Sequence, residues 1–413
     1  MHYGHLNFLD SLFMVTSAMS ATGLVVKNVG TDLSFSGQLL LLILVQIGGF
    51  GYMFMTSLVY LFFKGSFIKN KILNSNLNLE SKDNVSLILK NMFFIVLSIE
   101  LLGSLILFFC FYQHMDFKHA LWAGLFHGIS AFNNAGFSVF ETGLLPYVGN
   151  YGVSLTISFL IILGGLGYFV LLELFYFPQR KKLSHHAKIV VITTLIVIFV
   201  SWFSFLIFEY HNAGTIKEMS FPHKLLASFF TIINYRTAGF NTLDLSQLKD
   251  ASLSFGSLFM VIGGSPAGTA GGIKTTTLAI LILYAFWSVK GEDKTIVFKR
   301  EIDQKTINQA FCVIVITFFV LMFSLMFLSF FEDGGKRGFL ALFFEICSAF
   351  GTTGVSVGDG GTLSLSALFG EEGKILIILL MFIGKVGTLT FLVSFFTQQK
   401  QNRISYAQTK ILI

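Results

Sequence analysis

Charge is scarce in this chain: Asp, Glu, Lys and Arg make up 12% of its 413 residues, against about 25% in a soluble domain. With 54% hydrophobic residues and 50 Phe, that shortage excludes an ordinary water-soluble globule and points to a bilayer as the solvent. Cysteine is nearly absent too. Cys110, Cys312 and Cys347 sit within or beside apolar segments without a C-x-x-C spacing, which excludes a disulfide framework or a zinc site and leaves them as small core residues. The first residues lack a basic start followed by an apolar core, so no cleavable signal peptide is read and insertion is expected to rely on the spanning helices themselves. No Ser/His/Asp set, His-x-x-Glu-type motif or paired carboxylate stands at plausible spacing, so a membrane-embedded enzyme finds no support. The nine histidines show no ligand spacing, and His185-His186 reads as solvated in a basic loop.

What the chain has instead is long apolar runs, over 37–63, 85–112, 151–177, 189–209, 252–288, 307–331 and 374–397. Each reaches the ~20 residues a spanning helix needs, which makes seven spans, one of them overlong. The net charge of +6 does not form a basic patch, so nucleic acid is not read as a partner. Of 28 Lys and Arg, 17 fall in four connecting segments: Lys64, Lys69, Lys71, Lys82 and Lys90; Arg180, Lys181, Lys182 and Lys188; Lys290, Lys294, Lys299, Arg300 and Lys305; Lys400, Arg403 and Lys410. The positive-inside rule puts these segments and the C-terminus in the cytoplasm.

The opposite connections carry a fourfold repetition. Ser17-Ala-Met-Ser-Ala-Thr-Gly23-Leu, Ser130-Ala-Phe-Asn-Asn-Ala-Gly136-Phe, Ile233-Asn-Tyr-Arg-Thr-Ala-Gly239-Phe and Ser348-Ala-Phe-Gly-Thr-Thr-Gly354-Val place their glycines 113, 103 and 115 residues apart. Each follows a short apolar stretch (about 6–19, 119–132, 222–235 and 338–350) too short to cross a bilayer, which reads as a re-entrant half-helix. A dehydrated cation needs oxygen ligands from several sides, and backbone carbonyls supply them without trapping charge. Glycine permits positive φ and leaves the path open, and each half-helix turns its negative C-terminal end toward the cavity. The candidate ion-lining pairs are Thr22 and Gly23, Ala135 and Gly136, Ala238 and Gly239, and Thr353 and Gly354. A single such glycine reads first as a helix C-cap; four at near-equal spacing read as one pore.

The fold class expected is therefore an all-α polytopic membrane protein, four membrane–pore–membrane repeats with pseudo-fourfold symmetry around a central pore, divided at 1–79, 80–183, 184–303 and 304–413. The first repeat lacks its first helix, because the chain opens directly on His5-Leu-Asn-Phe-Leu-Asp10; an upstream start is expected. In the third, the 37-residue run 252–288 holds Gly263, Gly264, Gly268, Gly271 and Gly272 with Pro266, followed by Lys274. It reads as two half-helices with a flexible hinge, a discontinuity that transporters place near an ion path, or as a packing kink. A phosphate loop is excluded, since Ile273 separates the last glycine from Lys274 and no soluble strand precedes it. Lys385 lies in the last span, where a cation must face water or a partner; it reads as a pore-lining barrier or as a lysine reaching a backbone carbonyl. Glu100 and Glu173 read as paired or protonated structural residues.

The four loops, with Arg236-Thr-Ala-Gly239-Phe-Asn-Thr and the stretch Gly263-Gly-Ser-Pro-Ala-Gly-Thr-Ala-Gly-Gly-Ile-Lys274, resemble the Trk/Ktr/HKT superfamily of potassium transporters, and the resemblance covers essentially the whole chain. It implies potassium uptake across the cytoplasmic membrane with the pore loops outside, and Gly23 argues for potassium because many sodium-selective plant members carry serine in the first loop. It implies that Gly263 to Gly272 form an intramembrane gating loop, that Lys385 stands where the family usually has arginine, and that Arg236 and Glu345 brace the filter. It further implies a homodimer among membrane lipid, resting on a cytoplasmic RCK-type nucleotide-binding regulatory subunit; no cofactor is expected on this chain. The size leans toward the Ktr type. Coupling to sodium or protons is left open, and the potassium-binding subunit of an ATP-driven pump is the rival reading.

Overall fold

The computed structural model describes residues 7–62, 85–332, 338–358 and 362–388, with side chains left out at 52–62 and 85–87. Most of the first basic segment, all of the last (Lys400, Arg403, Lys410) and the end of the last span lie outside the described residues. Among the described residues fourteen α-helices form: α1 (Phe8–Met19), α2 (Phe35–Phe62), α3 (Val85–Tyr112), α4 (Phe117–Phe132), α5 (Tyr151–Gly165), α6 (Tyr168–Phe175), α7 (Phe177–Arg180), α8 (His185–Glu209), α9 (Phe221–Asn234), α10 (Asp250–Val261), α11 (Thr275–Val289), α12 (Gln304–Phe331), α13 (Phe339–Gly351) and α14 (Glu371–Val386). A two-residue antiparallel pair, β1 (Ile296–Val297) and β2 (Arg300–Glu301), follows α11.

Helix starts follow local chemistry. Asp116, Asn150, Ser184 and Asp303 turn a side-chain oxygen onto the backbone N–H three residues on, capping α4, α5, α8 and α12, which satisfies one of the orphan donors of a first turn. Among the described residues, Ile88–Tyr112 of α3, α8 and α12, at 25, 25 and 28 residues, are long and apolar enough to cross a membrane. They present bare hydrophobic flanks, Leu102 62%, Phe199 63% and Phe323 66% exposed, as a helix facing hydrocarbon must. The half-helices α1, α4, α9 and α13 have 12, 16, 14 and 13 residues, too short to span. They occupy the centre. Phe13, Phe126 and Phe344, each ten residues before a loop glycine, are fully buried.

The apolar runs lead to one expected break; the structure has four. The break expected within 252–288 separates α10 from α11. The run 37–63 is interrupted at Gly51 (φ 70°, ψ 155°). The run 151–177, read as one span, turns by 108° between α5 and α6, at Gly167 (φ 92°). In the last run, α14 ends at Gly387 (φ 91°). The cause is packing against the pore half-helices. A Cβ on Gly48, Gly164 or Gly384 would strike the carbonyl oxygen of Met19, Phe132 or Phe350, the residue four before each loop glycine. Helix α2, α5 or α14 thus crosses the carbonyl end of its own half-helix in direct contact and cannot run straight past it.

An ion pair and two carboxylates tie helix ends together. Lys374 Nζ of α14 meets Asp10 Oδ1 of α1 at 2.8 Å, both largely buried, joining the first half-helix to the last helix. Glu209, at the end of α8, accepts from Lys249 N–H (3.1 Å) and Ser252 Oγ at the start of α10, and Glu332 after α12 accepts from Gly370 N–H (2.7 Å) just before α14. Each carboxylate meets the positive end of the helix that descends beside its half-helix.

Gly164→Ala and Gly384→Ala are expected to cost about 1–3 kcal/mol each through overpacking. Gly149→Ala, whose Cβ would have no neighbour nearer than 3.7 Å, should stay within about 0.5 kcal/mol. Thermal unfolding of the detergent-purified chain checks this, and equal midpoints for all three variants would remove the close crossings.

Candidate functional site: a ring of four loops

Each half-helix ends in the same way. The residue two before the glycine takes the left-handed conformation although it is not glycine: Ala21 (φ 51°), Asn134 (φ 55°), Thr237 (φ 66°) and Thr352 (φ 52°). The next residue then donates its N–H back into the helix, Thr22 to Ser17 O, Ala135 to Ser130 O and Thr353 to Ser348 O at 2.8 Å, and Ala238 to Asn234 O at 3.1 Å. The first, second and fourth are the Schellman closure, while the third closes by the shorter i to i−4 bond; all four are made by residues that each lose about 1–2 kcal/mol in that conformation. The glycines are therefore not the helix caps. They lie beyond the caps, at φ 95°, 68°, 84° and 79° for Gly23, Gly136, Gly239 and Gly354.

What the glycines are for is visible in what a side chain would meet. A Cβ on Gly23 would lie 2.6 Å from the Ala135 carbonyl oxygen, one on Gly136 2.5 Å from that of Ala238, one on Gly239 3.1 Å from that of Thr353, and one on Gly354 against that of Thr22. The four contacts run in chain order and close on themselves. All eight residues of the candidate pairs thus meet around one axis, with the carbonyls of Thr22, Ala135, Ala238 and Thr353 at the contacts and no space for a side chain. Above the ring a cavity of about 60 Å³ is lined by all four glycines and by the segments that follow them, including Ser138, Asn241 and Ser356. It has room for several waters.

Side chains behind the ring hold it. Ser17 Oγ accepts from Gly23 N–H (3.1 Å), Ser130 Oγ from Phe137 N–H (3.0 Å) and Asn234 Oδ1 from Phe240 N–H (2.9 Å). Glu345 is fully buried and accepts from Ser356 Oγ (2.6 Å), Ser366 N–H (2.9 Å) and Ser366 Oγ. Arg236 is also buried, but among the described residues it forms no ion pair and its Nε has no hydrogen-bond partner. Its carbonyl, not its guanidinium, joins the loops, by accepting from Asn134 Nδ2 at 3.2 Å. Glu100 takes Gln46 Nε2 (3.0 Å) and Asn133 Nδ2 (2.9 Å), and Glu173 takes Ser184 N–H (2.8 Å).

The glycine-rich segment lies against the underside of the ring. Thr269 Oγ1 donates to Asn134 Oδ1 (2.9 Å) and Gly271 N–H to Thr352 Oγ1 (3.0 Å), so the left-handed residues of the second and fourth loops both hold it. Its backbone is satisfied by the broken helices: Ser265 and Thr269 N–H donate to Gly165 O (2.9 Å) and Gly164 O (3.2 Å), Gly272 N–H to Gly384 O (3.1 Å), and Tyr168 N–H to Ala267 O (3.0 Å). Gly263 N–H donates to Ile273 O and Ile273 N–H to Val261 O, both at 2.9 Å, pinching the base. Glycine is needed where backbones touch: a Cβ on Gly268 would lie 3.1 Å from Gly164 O and one on Gly264 2.8 Å from Gly165 O.

Two lysines complete the lower face. Lys274 Nζ donates to Ala270 O at 2.8 Å and Lys385 Nζ to Thr269 O at 2.5 Å. Of the two readings for Lys385, the structure shows the carbonyl contact, made to the segment under the ring. Sequence reasoning missed Asn134, Thr269 and Thr352 as its fastenings. A signal was present: Gly48-Gly49-Phe50-Gly51, Gly164-Gly165-Leu166-Gly167, Gly263-Gly264 and Gly384-Lys385-Val386-Gly387 are one pattern, and Lys385 stands where the others have glycine. Among the described residues no group of three His, Cys, Asp or Glu side chains could hold a metal ion.

Comparison with known proteins agrees over nearly the full length. The family model for TrkH, described as a cation transport protein, matches residues 1–406. The Ktr system potassium uptake protein B of Bacillus subtilis (strain 168) is 36% identical over 408 residues, covering 98% of this chain and 89% of its own. The potassium/sodium uptake protein NtpJ of Enterococcus hirae is 32% identical over 403 residues, covering 97% of this chain and 88% of its own. The crystal structure of the potassium transporter TrkH from Vibrio parahaemolyticus superposes with a TM-score of 0.74 at 15% identity, covering 97% of this chain and 80% of that one. The chain belongs to the TrkH family of cation transport proteins, membrane transporters rather than enzymes.

Proposed function

We propose that this chain takes up potassium through the ring of four loops. The observation that carries the reading is the closed cycle of contacts between Gly23, Gly136, Gly239 and Gly354 and the carbonyl oxygens of Ala135, Ala238, Thr353 and Thr22. A cation on that axis exchanges its water for carbonyl oxygens, and the four half-helix C-termini add a negative field. The names of its relatives as potassium uptake proteins support potassium as the ion, and the name of the potassium/sodium protein makes sodium the coupling ion to test. In this reading the chain divides into four quarters near 79, 183 and 303, each contributing one wall.

The segment Gly263 to Gly272 is the gate in this reading, because it lies under the ring and is fastened by hydrogen bonds that a hinge motion would break. Lys385 and Lys274 latch it and put positive charge on the exit path, a barrier that falls when the loop moves. The placement of 17 of 28 basic residues supports a cytoplasmic membrane location with the ring facing out. Relatives named as the B and D proteins of Ktr systems support further subunits: a homodimer with an RCK-type nucleotide-binding partner at the basic face.

Expression of the full chain with that partner in cells lacking potassium uptake is expected to restore growth at low potassium, measured with and without sodium; no rescue in either condition would overturn the reading. Gly23→Ser should lower potassium-over-sodium discrimination about tenfold, the effect of ~1.4 kcal/mol, because the added Cβ lies 2.6 Å from Ala135 O and must widen the ring; unchanged discrimination would exclude Gly23 from the filter.

Lys385→Met removes a charged donor worth ~1.5–3 kcal/mol. It is expected to raise the maximal uptake rate about tenfold with little change in KM. A rate at or below that of the unsubstituted chain would exclude the latch.

A further inference from the structure

His127 of α4 lies nine residues before Gly136, and Ser138 two residues after it; Glu345 and Ser356 stand at the same two offsets around Gly354. His127 and Glu345 are both fully buried, and each reaches its serine: His127 Nε2 to Ser138 Oγ at 2.8 Å, Glu345 Oε2 to Ser356 Oγ at 2.6 Å. Both serines line the cavity above the ring. The first and third loops place Met14 with Val25 and Phe230 with Asn241 at these offsets. The second and fourth loops are therefore a matched pair of polar braces on alternate sides of the ring, one built on imidazole and one on carboxylate.

The proton positions follow from the partners. His127 Nδ1 lies 2.8 Å from Ala123 O, and a carbonyl only accepts, so Nδ1 carries the hydrogen. The ring packs against Phe111, Phe126, Phe140 and Phe240, with Phe140 stacked on it at 4.7 Å. That apolar casing suits neutral imidazole, whose Nε2 is then an acceptor. Ser138 must donate to it. Ser356 must likewise donate to the Glu345 carboxylate, which only accepts. Each serine thus spends its proton on the side chain behind it; Ser356 Oγ also accepts from Leu365 N–H (2.8 Å) and Gly358 N–H (3.2 Å), which engages both its lone pairs, whereas Ser138 Oγ accepts from Phe140 N–H (3.1 Å) and keeps one lone pair for the cavity.

We infer that His127 is a positioning residue for ion entry: by taking the hydroxyl proton of Ser138, it fixes the serine so that its remaining lone pair rather than its hydrogen faces the mouth. The ligand of this subsite is an incoming monovalent cation still carrying part of its water, met by a hydroxyl oxygen before it reaches the carbonyl ring. A hydroxyl free to rotate would turn its hydrogen to the mouth part of the time and oppose the cation.

The inference rests on potassium uptake through the ring, and the test separates the two. In cells lacking other potassium uptake, the full chain carrying His127→Phe, which keeps the aromatic packing, or Ser138→Ala is expected to show a KM for potassium about three- to tenfold higher, with maximal rate within about twofold. The double variant should be no worse than either single one, and His127→Gln, which returns an acceptor, should recover most of the loss. On purified protein labelled with nitrogen-15 in histidine, the His127 Nε2 resonance should be that of an unprotonated acceptor and should move in Ser138→Ala. Unchanged KM in both single variants, additive losses in the double, or a protonated Nε2 overturns the inference while uptake by the unsubstituted chain keeps the transport reading. No uptake by the unsubstituted chain takes down the transport reading and this role with it, whatever the resonance shows.

Discussion

Four helix ends that must leave carbonyl oxygens unpaired, brought face to face at the centre of an apolar protein, are the constraint on which the rest of this structure depends. A half-helix that stops at membrane depth has carbonyls with no intrahelical partner, and hydrocarbon offers none. Here some are closed by the Schellman bonds of Thr22, Ala135 and Thr353 and by the i to i−4 bond of Ala238. Others meet the following helix so closely that only Gly48, Gly164 and Gly384 fit there. Beyond the caps, the carbonyls of Thr22, Ala135, Ala238 and Thr353 meet where the four loop glycines touch, and the function proposed for the ring gives them a cation as partner.

The same constraint accounts for the broken helices. A helix pressed against a carbonyl end cannot also continue along one line, and Gly51, Gly167 and Gly387 release it in left-handed or otherwise positive φ. Breaking a helix exposes further backbone groups, and the segment from Gly263 to Gly272 collects them: its own N–H groups bond the carbonyls of Gly164, Gly165 and Gly384. The gate proposed here is thus the piece of backbone that satisfies the other broken ends. Its movement would have to be compensated at each of them, which gives a physical reason for fastening it with side chains that let go singly, Thr269, Thr352, Lys274 and Lys385.

Much of this was legible in the sequence. The four glycines at near-equal intervals located the ring, and the glycine and proline density of 263–272 located the interruption beneath it. Other features were present but unread. Phenylalanine recurs ten residues before each loop glycine, at Phe13, Phe126, Phe229 and Phe344, and the paired glycines recur at 48, 164 and 263. The runs at 37–63 and 151–177 passed for straight spans because a break between apolar residues leaves hydropathy unchanged. Arg236 and Glu345 read alike as buried charges, yet Glu345 is fully engaged by serines while Arg236 offers the loops only its carbonyl.

The sequence by itself determined the solvent, the count of pore elements and the positions of the ring glycines, because these rest on composition and periodicity, which are local along the chain. Only the tertiary structure decided that each glycine abuts the carbonyl before the next, that Lys385 reaches Thr269 rather than open space, and that His127 and Glu345 face matching serines. Those are contacts within and between segments a hundred or more residues apart or folded back through a turn, and their geometry is set by how closely backbones approach. No pattern of residue types records that distance until the helices are packed.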